Sequence, residues 1–199
     1  RRIAQSQAYL DGLVELQDLS PQLACAALSL VPGMRVLDYC AGGGGKALAL
    51  AGRQPGLSIT AHDADFNRMR DLPARAARAG ARIATSRRPS GLFDLVLADV
   101  PCSGSGTWRR TPDAKWRLMP EDLRKLCNIQ AQILEKVQEY VAPGGCLAYM
   151  TCSLLDAENG DRIADFLRRH DGFLLLQQTR WTPLDAGDGF FLALLRRAG

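Results

Sequence analysis

Short apolar runs alternate with longer amphipathic stretches along the whole of this 199-residue chain. "MRVLDYC" (34–40) reads as a buried strand and "GKALALAGR" (45–53) as a helix opened by glycines. "LSITAHD" (57–63) is strand-like and carries β-branched residues, which suit a pleated surface. Residues 65–80 have a helical pattern that Pro73 should disturb, because proline lacks the N–H that a helix interior uses. "ARIATS" (81–86) is a weak strand and "FDLVLAD" (93–99) a strong one. The clearest helix covers 120–141. Pro120, Glu121 and Asp122 stand where a helix start favours them, and Leu123, Leu126, Ile129, Ile133, Leu134 and Val137 recur at helical spacing. "PGG" (143–145) predicts a turn, "CLAYMTC" (146–152) a strand, 157–170 a helix, and 172–179 and 189–197 two final strands.

Strands alternating with helices imply right-handed crossovers and a mostly parallel α/β sheet. No helix separates the last two strands, so they are expected as an antiparallel pair at one edge. The length and the 47% hydrophobic content suit one domain, 1–199. No apolar run approaches the ~20 residues of a membrane span, and "RRIAQSQAYLDG" has no signal-peptide core. The first residue is Arg rather than Met, so a piece of a longer protein is expected. Six cysteines without C-x-x-C spacing and only two histidines argue against a metal site of the zinc type. Reduced thiols and a cytoplasmic location fit that usage. The net charge is +4, and only four of the 25 basic residues are lysines. The arginine fork suits phosphate oxygens, although a GC-rich genome would produce the same bias.

Three constellations can carry chemistry. In "LDYCAGGGGKALAL" (37–50) a strand ends, four glycines turn the chain and a helix begins. Such a turn brings backbone N–H groups and a helix N-terminus to a ligand. Ala47 after Lys46 rules out a Walker A loop, which needs a hydroxyl for Mg²⁺; a nucleoside-containing cofactor fits better. Asp63, at the end of the second strand, suits a ribose diol, whereas Asp65 suits the cap of the following helix. Finally, "LADVPCSGSGTW" (97–108) and "LAYMTCS" (147–153) each end a strand with a thiol, Cys102 and Cys152, and Asp99 closes the first strand. Ligands collect at the carboxyl ends of parallel strands. If these two strands are neighbours, about 4.8 Å apart, both thiols face one crevice. Cys25, Cys127 and Cys146 instead fit the role of small buried hydrophobes.

"DYCAGGGGK", "AHDAD", "LADVPCSGSGTWRRTPDAKW", residues 141–152, "AEN" (157–159) and "GDGFFLALLRR" follow one another in order. Together they resemble the bacterial Sun-type RNA (cytosine-5)-methyltransferases, in particular those acting on small-subunit ribosomal RNA, from about Gln17 to the end of the chain. The resemblance implies a Rossmann-like fold dependent on S-adenosylmethionine, with a seven-stranded, mostly parallel sheet and an antiparallel edge strand. It implies methylation of carbon 5 of a cytosine in RNA. Cys152 would be the nucleophile that bonds carbon 6, Cys102 would assist release, Asp99 would bind the cytosine edge, and Lys46 would lie nearby. Cys40, Ala41, Gly42, Gly43, Gly44, Gly45, Lys46, Asp63 and Asp99 would line the cofactor site. Arg109, Arg110, Lys115 and Arg117 would meet RNA phosphates. No membrane and no metal partner is implied, and a monomer is the expected state. The chain departs from the family pattern at Gly42 and Gly43, which replace Ala-Pro, and in "TSRRPSG" (85–91), which lacks the usual acid. The family's N-terminal helical RNA-binding domain has no counterpart in these residues. A tRNA cytosine-5 methyltransferase, another amine-type methyl acceptor, a non-catalytic RNA-binding or ribosome-assembly module with a relic site, and a redox thiol protein are the competing readings.

Overall fold

Neighbouring residues on the central strands point to opposite layers, and this alternation sets the architecture. The computed structural model describes residues 3–185 and 187–199. Its strands are β1 (Arg35–Asp38), β2 (Ser58–Ala61), β3 (Ile83–Thr85), β4 (Phe93–Asp99), β5 (Val141–Thr151), β6 (Phe173–Trp181) and β7 (Phe190–Arg197). They form one sheet in the order β3-β2-β1-β4-β5-β7-β6. Strands β1 to β5 pair in parallel, and β7 runs antiparallel to both of its neighbours. The expected antiparallel pair is therefore at one edge, with β7 inserted between β5 and the outermost strand β6.

The helices are α1 (Gln7–Leu10), α2 (Leu19–Ala26), α3 (Gly45–Arg53), α4 (Leu72–Arg78), α5 (Ala114–Arg117), α6 (Pro120–Val137) and α7 (Gly160–Arg169). Leu37, Val96, Ala98, Leu147 and Tyr149 pack in one layer with Leu134 and Val137 of α6 and Ile163 and Phe166 of α7. Val36, Leu95, Leu97, Ala148 and Met150 pack in the other with Ala24 and Cys25 of α2 and Ala47 and Leu50 of α3. Both faces of the sheet are thus covered, as a parallel sheet requires.

Three elements differ from the hydrophobic reading. Residues 65–80 are two pieces: a 3-10 turn at Phe66–Met69, then α4, with Pro73 in its first turn, where a missing N–H costs nothing. Pro143, Gly144 and Gly145 do not end an element but form an irregularity inside β5. Phe93 pairs with Val141 and Leu95 with Cys146, so β5 spends the extra residues in a bulge. On α6 the stripe is rotated: Ile129 is exposed and Gln130 is fully buried. The hydrophobic pattern does not predict α1, α2 or α5; Asp18 is the N-cap of α2, and its side chain accepts from the Ser20 N–H at 3.1 Å.

Candidate active site

The glycine turn after β1 delivers α3 to the carboxyl end of the sheet. Gly44 caps α3 at φ +79°, and a Cβ there would lie 2.2 Å from Leu72 Cδ1, so both the backbone conformation and the packing demand glycine. The Gly42 N–H donates to Asp63 Oδ2 at 2.8 Å, and the Asp65 N–H donates to Asp63 Oδ1 at 3.0 Å. Asp63 is buried beneath the loop, with Arg68 3.2 Å away. Asp65 caps the next turn through the Asn67 N–H.

Lys46, the second residue of α3, reaches across to Asp99 at the end of β4, Nζ to Oδ2 2.5 Å. Burial works against its ammonium, but the charge and hydrogen bond of Asp99 outweigh it and hold its pKa above the ordinary lysine value. Asp38, at the end of β1, is buried, and neither oxygen has a well-formed hydrogen bond, although the Ala47 N–H is near enough to favour the charge slightly. Burial pushes its pKa up to about 7, and the nearby Asp99 and Asp63 push the same way against Lys46. A buried acid left without a partner is costly, so it marks a place where a cationic ligand group would be stabilised.

Strands β4 and β5 are neighbours, with Asp99 level with Met150. The two following loops therefore leave the sheet together, and Cys102 Sγ lies 3.4 Å from Cys152 Sγ. The hydrogen bond from Cys102 is the largest influence holding Cys152 below the usual thiol value, and Lys46 adds to it against burial and Asp99. The same hydrogen bond, with burial, pushes Cys102 well up. With Cys102 as the donor, Cys152 is the readier thiolate of the pair, the form that acts as a nucleophile. Both thiols open onto a cavity of about 340 Å³ lined by residues 40–43, Arg68, residues 99–102 and Cys152. Burial raises Cys25 to about 12 and Cys40 higher still, so neither is a rival nucleophile.

Residues 25–196 match the family model described as 16S rRNA methyltransferase RsmB/F. The chain belongs to this family. It is 38% identical over 214 residues to the ribosomal RNA small subunit methyltransferase B of Xylella fastidiosa, covering 97% of this chain and 51% of that protein. The chain thus spans about half the length of the curated relatives it matches. A methyltransferase homolog protein from Pyrococcus horikoshii superposes with a TM-score of 0.85 at 28% identity, over 99% of this chain and 72% of that one. NSun6 from the same organism, solved with SFG, gives 0.87 at 21% identity over 98% and 56%.

Gly44 and Gly45 shape the turn behind the cavity, and Asp63 braces it from below. The four basic residues lie outside the cavity. Arg109 and Arg110 both pair with the buried carboxylate of Asp188, ahead of β7, and Arg109 also meets Asp18 at 3.5 Å. Arg117 pairs with Asp113 at 2.8 Å, and the Lys115 ammonium sits 4.8 Å from the Trp116 ring centre. Trp116 is 79% exposed, so it is not part of the core. The sequence reading did not single out Asp38, Arg68, Gln130, Glu158 or Asp188. An acid closing an otherwise apolar strand, as in "RVLD", is the signal that could have found the first. Among the described residues no group of three or more His, Cys, Asp or Glu side chains could hold a metal ion, and no helix is long and apolar enough to cross a membrane.

Proposed function

We propose that this chain is the catalytic part of an S-adenosylmethionine-dependent enzyme that methylates carbon 5 of a cytosine in small-subunit ribosomal RNA. The observation that carries the reading is the pair of thiols 3.4 Å apart at the ends of adjacent parallel strands, beside the Lys46–Asp99 ion pair. A methyl acceptor that is already nucleophilic, such as an amine, needs no thiol. Carbon 5 of cytosine is a poor nucleophile and does.

S-adenosylmethionine, when bound, supplies an electrophilic methyl group. The glycine turn and the N-terminus of α3 fit its carboxylate, and Asp38 fits its ammonium. Each oxygen of Asp63 carries one backbone N–H, and Arg68 also lies 3.2 Å from Oδ2, so Oδ1 is the oxygen with a lone pair left for a ribose hydroxyl. The Cys152 thiolate adds to carbon 6 of a cytosine taken out of its stack, and the electron pair of the 5,6 double bond becomes available at carbon 5. Asp99 accepts a hydrogen bond from the exocyclic amine and is held in place by Lys46. After carbon 5 is methylated, its proton must leave to a base. The electrons of that C–H bond restore the double bond, and the carbon 6–sulfur bond breaks to return the Cys152 thiolate. Cys102, hydrogen-bonded to that sulfur, assists this release.

The test is to trap the intermediate. Cys102→Ala, incubated with S-adenosylmethionine and ribosomal RNA, is expected to give an RNA-linked band on a denaturing gel, and Cys102→Ala/Cys152→Ala none. A wild-type chain that transfers no labelled methyl group while neither variant gives a band, also after fusion to an N-terminal half from a full-length relative, would refute the reading in favour of a relic site.

A further inference from the structure

The mechanism uses the two thiols but not the buried carboxylate lying behind them. Glu158 is fully buried in the turn between β5 and α7. Four donors converge on its two oxygens. The Ser103 N–H (2.8 Å) and the Gln130 side-chain amide (3.0 Å) donate to Oε1. The Ser103 and Ser153 hydroxyls, both at 2.5 Å, donate to Oε2. Ser103 follows Cys102 and Ser153 follows Cys152. One side chain thus grips the residue after each thiol.

We propose that Glu158 is a positioning residue that sets the two thiols against each other by anchoring both cysteine loops, and the Cys102 loop above all. The asymmetry follows from the other anchors. The Cys152 loop has further anchors of its own: the Asn159 side chain donates to Ser153 O at 2.9 Å and the Ser153 N–H donates to Thr151 Oγ1 at 3.2 Å, while the Gly106 N–H, donating to Cys152 O at 2.9 Å, ties the two loops together beyond Ser103. The loop of Cys102 leans on Glu158 directly through both donors of Ser103. It leans on it indirectly through Gln130, which also donates to Pro101 O at 3.0 Å. All four donors are neutral. Hydrogen bonds to a charged group are stronger than those between neutral groups, so one buried carboxylate can outweigh the freedom of a Gly/Ser loop. Replacing it frees the thiol assigned to release more than the thiol assigned to attack; that assignment of roles rests on the function proposed above.

The deciding experiment needs no RNA. Wild type, Glu158→Gln and Ser103→Ala are treated with iodoacetamide, and the labelling rates of Cys102, Cys152 and Cys25 are read peptide by peptide. Cys102 is expected to label about tenfold faster in Glu158→Gln, the equivalent of one charge-assisted hydrogen bond, with Cys152 changed by less than about threefold. Ser103→Ala should give the same asymmetry in weaker form, and it serves alone if Glu158→Gln does not fold. Equal acceleration of Cys102 and Cys152, no acceleration, or equal exposure of the core thiol Cys25 overturns the proposal. A second arm links positioning to turnover. Glu158→Gln should keep its single-turnover methyl transfer, lose about tenfold in kcat and accumulate the RNA adduct seen with Cys102→Ala. An equal fall in both rates overturns the link to release. The expected labelling with no methyl transfer by wild type refutes the cytosine reading while the positioning stands.

Discussion

Replacing Asp38 separates what folding wants from what binding wants. Its carboxyl is 1% exposed, lacks a well-formed hydrogen bond and has its pKa pushed up to about 7 from 3.8, chiefly by burial. An acid whose folded pKa exceeds its unfolded one binds its proton more tightly in the folded chain. Its contribution to stability is full below the unfolded pKa and is lost as pH rises through the folded one. At ~1.4 kcal/mol per unit the whole span is about 4 kcal/mol, of which about 3 kcal/mol falls between pH 5 and pH 8. Asp38→Asn removes that titration. The amide remains an unpaired buried polar group, which costs about 1–3 kcal/mol at every pH. The informative quantity is therefore the pH slope rather than the stability at one pH.

Thermal melts of wild type and Asp38→Asn at matched ionic strength should converge or cross between pH 5 and pH 8. The difference should move by about 3 kcal/mol in favour of the variant, or roughly 6–12 °C in Tm for a domain of this size. Calorimetric titration at pH 8 should at the same time show S-adenosylmethionine binding weakened by about tenfold or more, because the ligand ammonium has lost a desolvated partner. Parallel melting differences across pH would refute the orphan-charge argument. A variant that binds the cofactor as tightly as wild type would refute the ligand assignment.

Two further outcomes follow from the same site. Cys152 should be the fastest of the six cysteines to react with iodoacetamide at neutral pH, and Cys102→Ala should move its rate–pH profile to higher pH, since the Cys102 hydrogen bond is the largest influence lowering its pKa; an unmoved profile would mean that Lys46 alone activates it. Gly44→Ala should lose about 2–5 kcal/mol, from a left-handed backbone and a Cβ driven into Leu72, whereas at Gly43 a Cβ meets only the movable Arg75 guanidinium at 3.1 Å and Gly43→Ala should melt close to wild type.

The parts of this fold that were legible in the sequence are those decided locally. "FDLVLAD" is β4 from end to end and "GKALALAGR" is α3, because uninterrupted apolar runs and a glycine start leave few alternatives. The meeting of Cys102 and Cys152 was legible for a related reason: both stand just past a strand end, and parallel neighbours deliver their ends to the same side. The misses are polar or conformational decisions taken at long range. Helical spacing places Ile129 in the apolar stripe of α6, yet Gln130 turns inward because Pro101 O and Glu158 offer it partners 29 and 28 residues away in sequence. Pro143–Gly145 looked like a turn because local chemistry cannot show that β4 continues beside it. Local sequence also does not show that Arg109 and Arg110, the residues expected at RNA phosphates, share a carboxylate, because Asp188 lies about 80 residues downstream.

These misses share a physical cause. A hydrophobic side chain is buried wherever the period of its element puts it, but a polar one is buried only where partners from other elements converge, or where a ligand is to complete the set. Glu158 is the first kind: its partners are all protein atoms, among them the Gln130 side-chain amide, and it sits behind the two cysteine loops. Asp38 is the second, a carboxylate whose pairing the protein leaves undone. Buried polar groups that break the hydrophobic pattern thus gather at the carboxyl end of this sheet, with Glu158 tying the two cysteine loops and Asp38 left without a partner beside the glycine turn.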